Sequence, residues 1–112
     1  MIARMWHGVV PKEKSADYHQ YLLDTGMKDY EKVEGNRGAF LLKNDEQELT
    51  HFYTLSFWTN IEAIKMFAGE AFEKAQYYPA DKDFLLECED KVRHFDVLEM
   101  PAYLSSISSS QL

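Results

Sequence analysis

Residues 57–79 read FWTNIEAIKMFAGEAFEKAQYYP and contain the end of a strand followed by a helix with its own start and stop signals. The aromatic pair Phe57-Trp58 closes a run of β-favouring residues. Thr59-Asn60-Ile61-Glu62 follows at once with the Ser/Thr-x-x-Glu spacing of a capping box, which satisfies free N–H groups at a helix start. Gly69 then offers a helix stop. The segment predicts a helix whose apolar face is formed by Ile61, Ile64, Phe67 and Ala68.

The first third of the chain repeats this order of strand and helix. Residues 2–10 are rich in apolar and β-favouring types, and Pro11 closes them. Residues 12–24 are polar with helical spacing of aromatic and aliphatic side chains. Gly26 interrupts the pattern, and residues 27–33 predict a short helical continuation at a new angle.

Three further strands complete the predicted fold. Residues 37–43 and 50–58 form a hairpin around the polar loop 44–48, and residues 91–100 form the last strand. The order β-α-β-β-α-β predicts an α+β, ferredoxin-like domain over residues 1–100, with an antiparallel sheet of order 4-1-3-2. Both helices are then expected on one face. The Ser-rich residues 101–112 are expected to be a flexible tail.

Apolar residues in the strands do not alternate with polar ones, although one sheet face is predicted to lack helices. A bare apolar face needs a cover, and a second copy of the chain can provide it. The pattern therefore predicts a homodimer packed sheet against sheet. The residues that supply both faces are Met5, Trp6, Val9, Val10, Phe40, Leu41, Leu42, Phe52, Tyr53, Leu55 and Phe57.

Composition narrows the classes of partner. The net charge of -7 argues against nucleic acid and against anionic membrane surfaces. The single cysteine, Cys88, fits a reducing compartment, and the N-terminus lacks the pattern of a signal peptide. No run approaches the ~20 apolar residues of a membrane span. We expect a cytoplasmic protein. Its aromatic content of 14% predicts an aromatic-lined cavity, an oligomer interface or both, and the cavity is expected to bind a small hydrophobic or aromatic ligand.

Three histidines lie in different predicted strands, toward the same end of the sheet. His7, His51 and His94 form a metal site or a proton-transfer cluster if they share one face. They form separate hydrogen bonds if they do not, because a shift of one residue turns a side chain to the other face. No short His spacing favours a ligand set, so the sequence predicts no metal. His7 alone is a candidate general base, since an imidazole titrates near neutral pH and can accept a phenolic proton.

Other candidate residues are aromatic or basic. Tyr77 and Tyr78 precede Pro79; a hydroxyl group there can bind a substrate oxygen, or the pair can close a core edge or touch a partner subunit. Trp6 either walls a cavity or fills an interface. Arg4 and Arg37 lie in predicted strands, where a charge needs water or a partner. They can recognise a carboxylate or support an oxyanion, or they can lie at exposed strand ends.

Several segments together match the pattern of a known family. They are the opening MIARMWHGVV, Gly35-Asn36-Arg37-Gly38, Leu55-Ser56-Phe57-Trp58, the helical residues to Gly69, Tyr77-Tyr78-Pro79 with Asp81 and Phe84-Leu85, and residues 92–98 with His94-Phe95. Over residues 1–99 the sequence thereby resembles the antibiotic-biosynthesis monooxygenase family of the dimeric α+β-barrel superfamily. The resemblance implies the ferredoxin-like fold and the dimer, and places Phe67 at the cavity. Some members oxidise polycyclic phenols to quinones with O₂ and without metal or flavin.

Other members of that family bind and open heme. They use an Asn on the first strand, a Trp in the second helix and a His shortly after it. By spacing these fall near Met5, on Phe67, and on Gln76 or Tyr77, so none is kept. The resemblance therefore implies no heme degradation by that mechanism.

Three functions stay open at the level of sequence. The first is a cofactor-independent monooxygenase for a small aromatic or phenolic substrate, with catalytic residues His7, Tyr77 and Tyr78 and a substrate site formed by Met5, Trp6, Phe67 and His94. The second is a non-catalytic or stress-related barrel that binds an apolar molecule. The third is a heme binder with altered ligation through a strand histidine.

Overall fold

A computed structural model describes residues 1–101, and the predicted order of strands and helices is confirmed in it. The strands form one antiparallel sheet of order β2-β3-β1-β4, which is the predicted order read from the other edge. The Ser-rich tail predicted from residue 101 lies outside the described residues except for Pro101. The strands are β1 (Ile2–Pro11), β2 (Asn36–Glu46), β3 (Leu49–Trp58) and β4 (Arg93–Asp96). The helices are α1 (Ser15–Asp24, after a 3₁₀ turn Lys12–Lys14), α2 (Gly26–Glu31), α3 (Ile61–Ala68) and α4 (Asp81–Phe84).

Two strand boundaries differ from the prediction. The predicted five-residue loop 44–48 is wrong, because β2 and β3 stay paired as far as Glu46 and Leu49. The hairpin turn is therefore Gln47-Glu48, with Gln47 in the left-handed region at φ 57°. The last strand ends at Asp96 instead of residue 100, because Asp96 already lies opposite Ile2 at the start of β1.

The sheet has two different faces, which alternate along each strand. The helix face carries Trp6 of β1 and Phe52 of β3, which pack with Tyr18 and Leu22 of α1. The open face has no helix over it in the described residues. Apolar side chains are found on both faces, as expected, and Phe40 and Leu42 of the open face are 47% and 43% exposed. Further open-face positions, placed by cross-strand pairing, are Met5, His7, Val9, His51, Tyr53, Leu55 and Phe57.

A second core cluster joins the helices to the other end of the helix face. Tyr30 of α2 and Ile64 of α3 pack there with Trp58. Helix α3 begins with Asn60, whose side chain accepts a hydrogen bond from the Ala63 N–H group. The predicted capping role of Thr59 is therefore wrong by one position. Gly69 ends the helix at φ 83°, as predicted.

Candidate functional site

A small cavity lies between the helix face of the sheet and the helices that cover it. Its volume is about 30 Å³. Strands β1 and β3 provide its floor, helices α2 and α3 its sides, and the segment before and within α4 its remaining wall. The lining residues are Arg4, Trp6, Leu22, Gly26, Tyr30, Thr54, Phe67, Gln76, Tyr78 and Asp81.

An open cleft of about 280 Å³ lies against this cavity. The two spaces share Phe67, Gln76 and Tyr78 as lining residues. The Tyr78 hydroxyl group donates a hydrogen bond to Asp29 Oδ2 on α2. Burial and this bond raise the pKa of Tyr78 above its ordinary value. The same bond lowers the pKa of Asp29. Tyr78 thus lies between the cavity and the cleft together with Phe67 and Gln76, and its hydroxyl group is bonded to α2.

Asp81 fixes the backbone that carries Tyr78. Its side chain is only 3% exposed and accepts hydrogen bonds from the Tyr18 hydroxyl group at 2.8 Å and the Tyr78 N–H group at 2.6 Å. Burial raises the pKa of Tyr18, and the negative charge of Asp81 adds to the shift. Both oxygens of this carboxylate therefore have donors, and the residue acts on the cavity by positioning Tyr78.

Arg4 is the basic residue of the cavity lining. It is 1% exposed, and its Nη2 donates to the Lys74 carbonyl oxygen at 3.3 Å. Its Cζ atom lies 5.3 Å from the centre of the Phe67 ring. Its Nε has no hydrogen-bond partner within the described part of the chain. Burial lowers the pKa of the guanidinium group, and the neighbouring Tyr30 acts in the opposite direction.

Three other polar groups belong to residues that line the cavity. The Tyr30 and Thr54 hydroxyl groups share a hydrogen bond of 2.9 Å. The indole Nε1 of Trp6 is buried and has no partner among residues 1–101. Since buried polar groups are nearly always hydrogen-bonded, an unpaired donor in a cavity lining needs an explanation. The cavity therefore combines aromatic walls with N–H donors that have no acceptor.

His7 and His51 meet on the open face. Their Nε2 and Nδ1 atoms are 2.9 Å apart, and His7 Nδ1 contacts Glu89 Oε1. The His7 ring also stacks on Tyr53, with centroids 4.8 Å apart. His94 pairs with Arg4 on the helix face instead, so the three histidines are not brought together. Within residues 1–101, no group of three or more His, Cys, Asp or Glu side chains is arranged to hold a metal ion.

The predicted site residues divide between the two faces. Trp6, Phe67 and Tyr78 line the cavity, and Tyr77 lines the cleft, where its hydroxyl group donates to the Glu89 carbonyl oxygen at 2.5 Å. Met5 and His7 lie on the open face, so the expectation that all seven residues share one cavity is not met. Met5 and His7 differ from Trp6 because side chains alternate along β1. His94 lies on the helix face but is not part of the cavity lining.

His94 contacts the same region from β4. Its Nε2 is buried without a partner in the described residues, and its ring lies edge-on to Phe72 with centroids 5.4 Å apart. Burial lowers its pKa, and the positive charge of Arg4 lowers it further. The imidazole ring is therefore neutral at neutral pH, which limits the positive charge placed beside Arg4.

Four polar lining residues had no functional role in the sequence prediction: Tyr30, Thr54, Gln76 and Asp81. The spacing of Asp81 from Tyr78-Pro79 is a turn signal that fits its actual bond to the Tyr78 N–H group. Thr54 lies between apolar neighbours in β3, where a hydroxyl group marks the helix face. Tyr30 and Gln76 carry no such local signal, because the helix and loop that hold them are placed only by tertiary packing.

No protein-family model matches the chain, and no curated protein matches its sequence. Among solved structures, the chain is similar to a mutant of MhuD with two manganese protoporphyrin IX molecules bound per active site. The TM-score is 0.61 at 15% identity, and the match covers 89% of this chain and 97% of that chain. The chain is also similar to Rv0793 from Mycobacterium tuberculosis, with a TM-score of 0.56 at 13% identity and coverage of 90% and 98%.

At these identities the similarity shows the fold. The chain shares its α+β, ferredoxin-like fold with these two structures, and the resemblance seen in the sequence is confirmed at the level of the fold. The described residues contain no helix long and apolar enough to cross a membrane.

Proposed function

We propose that the protein is a monooxygenase that takes a small aromatic or phenolic substrate into the space between its helices and sheet, without an organic cofactor or metal. The observation that carries this proposal is the position of Tyr78. Its side chain lines both an aromatic-lined cavity and an open cleft, which supports a substrate path past its hydroxyl group. Aromatic walls with a few polar groups are typical of sites for small aromatic molecules.

The proposed chemistry needs no external reductant. An anthrone-type CH₂ group loses a proton to a base, and the resulting carbanion supplies electrons to O₂. One oxygen atom of O₂ becomes the new quinone oxygen, and the other leaves as water with the two hydrogens of the CH₂ group. The protein then has three tasks, which are to bind the ring, to stabilise the developing oxyanion and to receive the proton.

Substrate entry requires Tyr78 to move. A cavity of about 30 Å³ holds water, whereas benzene needs an apolar cavity of about 150 Å³. Displacing the Tyr78 side chain from Asp29 joins the cavity to the cleft of about 280 Å³. The joined space is of a size that fits one or two aromatic rings.

The proposal is tested by O₂ consumption with anthrone. Tyr78→Phe is expected to lower kcat/KM by a factor of roughly ten or more, because it removes a hydrogen-bond donor from the substrate path. His7→Ala distinguishes the two faces of the sheet. A large loss in His7→Ala with none in Tyr78→Phe places the reaction on the open face, where His7 is the base. If the wild-type protein consumes no O₂ with anthrone or a related phenol, the oxygenase proposal is wrong.

The first alternative is a non-catalytic or stress-related barrel that binds a small molecule. It uses the same cavity and predicts a ligand-dependent rise in melting temperature without O₂ consumption. A thermal-shift assay with anthrone run beside the oxygen electrode separates it from the oxygenase.

Heme binding is a second alternative, favoured by the fold shared with the protoporphyrin-bearing MhuD structure. The residues present do not fit a porphyrin as they stand, since the cavity is far smaller than a porphyrin and Gln76 and Tyr77 occupy its neighbourhood. His94 Nε2 is the unpartnered strand imidazole on that side. Titration with hemin tests this alternative, which predicts a Soret band that is lost in His94→Ala.

The dimer is also part of the proposal. Phe40, Leu42 and Phe95 lie on the open face and are 47%, 43% and 41% exposed, which a second copy of the open face covers. Sedimentation velocity is expected to show a dimer at micromolar concentration and a monomer for Leu42→Glu. A lone protomer in the wild-type protein contradicts this proposal. The exposed thiol of Cys88 fits the cytoplasmic location that we propose with it.

A further inference from the structure

Arg4 is a buried cation without an anion. It is 1% exposed, and no carboxylate of residues 1–101 forms an ion pair with it. Charged side chains are almost never fully buried unless they are paired, because the interior does not replace the water that is lost. Its Nη2 donates to a neutral acceptor, the Lys74 carbonyl oxygen, at 3.3 Å, and its other polar neighbour is the hydroxyl group of Tyr30.

The acid that lines the same cavity, Asp81, forms no ion pair with Arg4 and accepts hydrogen bonds from Tyr18 and the Tyr78 N–H group instead. The π face of Phe67 offsets part of the Arg4 charge, with Cζ 5.3 Å from the ring centre. The Nε–H group stays without an acceptor.

A second donor without a partner lies on the same strand and face. Trp6 Nε1 is buried and unpaired in the described residues, and both Arg4 and Trp6 line the cavity. The residues of the lining therefore include one buried guanidinium group and two buried N–H groups that lack acceptors within residues 1–101, beside the aromatic rings of Tyr30, Phe67 and Tyr78. An anionic oxygen attached to an aromatic ring satisfies the charge and the donors together.

We propose that this cavity is selective for aromatic molecules with an anionic oxygen, a carboxylate or a phenolate, which binds the Arg4 guanidinium group at the floor while the ring extends past Tyr78 into the cleft. The inference rests on the proposed function only in taking this cavity as the substrate site. Arg4 is a substrate-binding residue in it, and a phenolate held there is already in the deprotonated form that reacts with O₂.

Isosteric probes test the charge requirement. Isothermal titration at neutral pH compares benzoate with benzamide, and 4-nitrophenolate with 4-nitroanisole. We expect at least one anion to bind tenfold or more tightly than its neutral partner. The pair that shows the preference tells carboxylate from phenolate. Equal affinity within both pairs, or binding of neither anion, overturns the proposal.

Two variants test which positive charge is responsible for the preference for anions. Arg4→Met is expected to bring the affinity ratio to about one. Arg93→Met removes the same charge from an exposed position on the open face and is expected to keep the ratio. A preference that persists in Arg4→Met contradicts the proposal. If Arg4 serves only to hold Lys74 and Phe67, Arg4→Met lowers the melting temperature and leaves the ratio unchanged.

NMR of the wild-type protein gives a readout that does not depend on how the variants fold. The chain has three arginines, Arg4, Arg37 and Arg93, so their Nε–H resonances are few. The preferred anion is expected to shift the Arg4 resonance, and the neutral partner is not; a shift confined to Arg37 or Arg93 overturns the proposal. If the protein prefers anions but consumes no O₂, the oxygenase proposal is wrong and the anion site stands. If it consumes O₂ but shows no anion preference, the anion site is wrong and the oxygenase proposal stands.

Discussion

At the scale of single residues, Tyr78 and Asp29 form the bond that closes the cavity. Asp29 has a lowered pKa in the folded protein, so its contribution to stability is present above its unfolded pKa and lost as the pH falls through the folded value. Tyr78 has a raised pKa, so its contribution is present below its unfolded pKa and lost as the pH rises through the folded value.

We predict that Tyr78→Phe lowers the free energy of unfolding by about 1 kcal/mol or less between about pH 4 and pH 10, because the bond is partly exposed to solvent. The difference from wild type is expected to shrink at pH 3. Urea denaturation at pH 3 and pH 7 measures it. Tyr53→Phe is the control, since the Tyr53 hydroxyl group has no hydrogen bond within residues 1–101. A difference that is equal at both pH values contradicts the assignment to ionised Asp29.

Residue-scale features of the site were only partly predictable from sequence. Tyr78 and Trp6 were candidates for a cavity because each combines an aromatic ring with a polar atom, and the family resemblance placed Phe67 there. The side of the sheet that His7 faces was not predictable. Its strand neighbours Trp6 and Val9 are both apolar, so no polar alternation marks the solvent side. The burial of Arg4 depends on the same alternation of side chains along β1, so only the structure shows it.

At the scale of elements, helix α3 depends on its first residue. Asn60 Oδ1 accepts a hydrogen bond from the Ala63 N–H group at 2.9 Å. We predict that Asn60→Ala lowers the free energy of unfolding by about 1 kcal/mol, the usual cost of losing an N-cap. Thr59→Ala is expected to change it by less than about 0.5 kcal/mol. Thermal or urea denaturation of both variants measures these losses. A larger loss of stability in Thr59→Ala than in Asn60→Ala would support the capping box predicted from sequence.

Helix α3 also packs closely on the turn before β2. A Cβ atom added at Gly35 would lie 2.2 Å from Ala63 Cβ and 3.0 Å from Thr59 Oγ1. We predict that Gly35→Ala costs about 1–3 kcal/mol, because the helix has to move away. Gly26→Ala is the control, since its nearest contact is 3.8 Å and alanine favours the helical conformation of α2. Equal stability of the two variants would show that α3 does not lie this close.

The strand boundaries show which elements a sequence predicts well. Strands β1 and β3 were predicted within one residue, because they are central and apolar along their length. Residues 44–46 are polar and resemble a loop, yet they continue β2, since an edge strand tolerates polar side chains. Residues 97–100 look like a strand, but β1 starts at Ile2, so pairing stops after the Val97 N–H group donates to the Met1 carbonyl oxygen.

At the scale of the whole molecule, each face of the sheet has its own proposed role. The helix face carries the cavity, with Arg4 at its floor as a cation that has no ion pair within residues 1–101, and the open face carries exposed apolar side chains beside the His7–His51 pair. In the proposed dimer, the ligand occupies the first face and the second copy covers the other. Sequence predicted both roles, but it did not assign His7 and Met5 to the open face.

Methyl NMR of the protein titrated with the preferred anion tests this division most directly. The account predicts chemical-shift changes at Leu22 of the cavity lining and at the neighbouring core residues Met27 and Ile64. It predicts none at Val9 and Leu55 of the open face. Changes confined to Val9 and Leu55 would place the ligand on the open face and contradict the account.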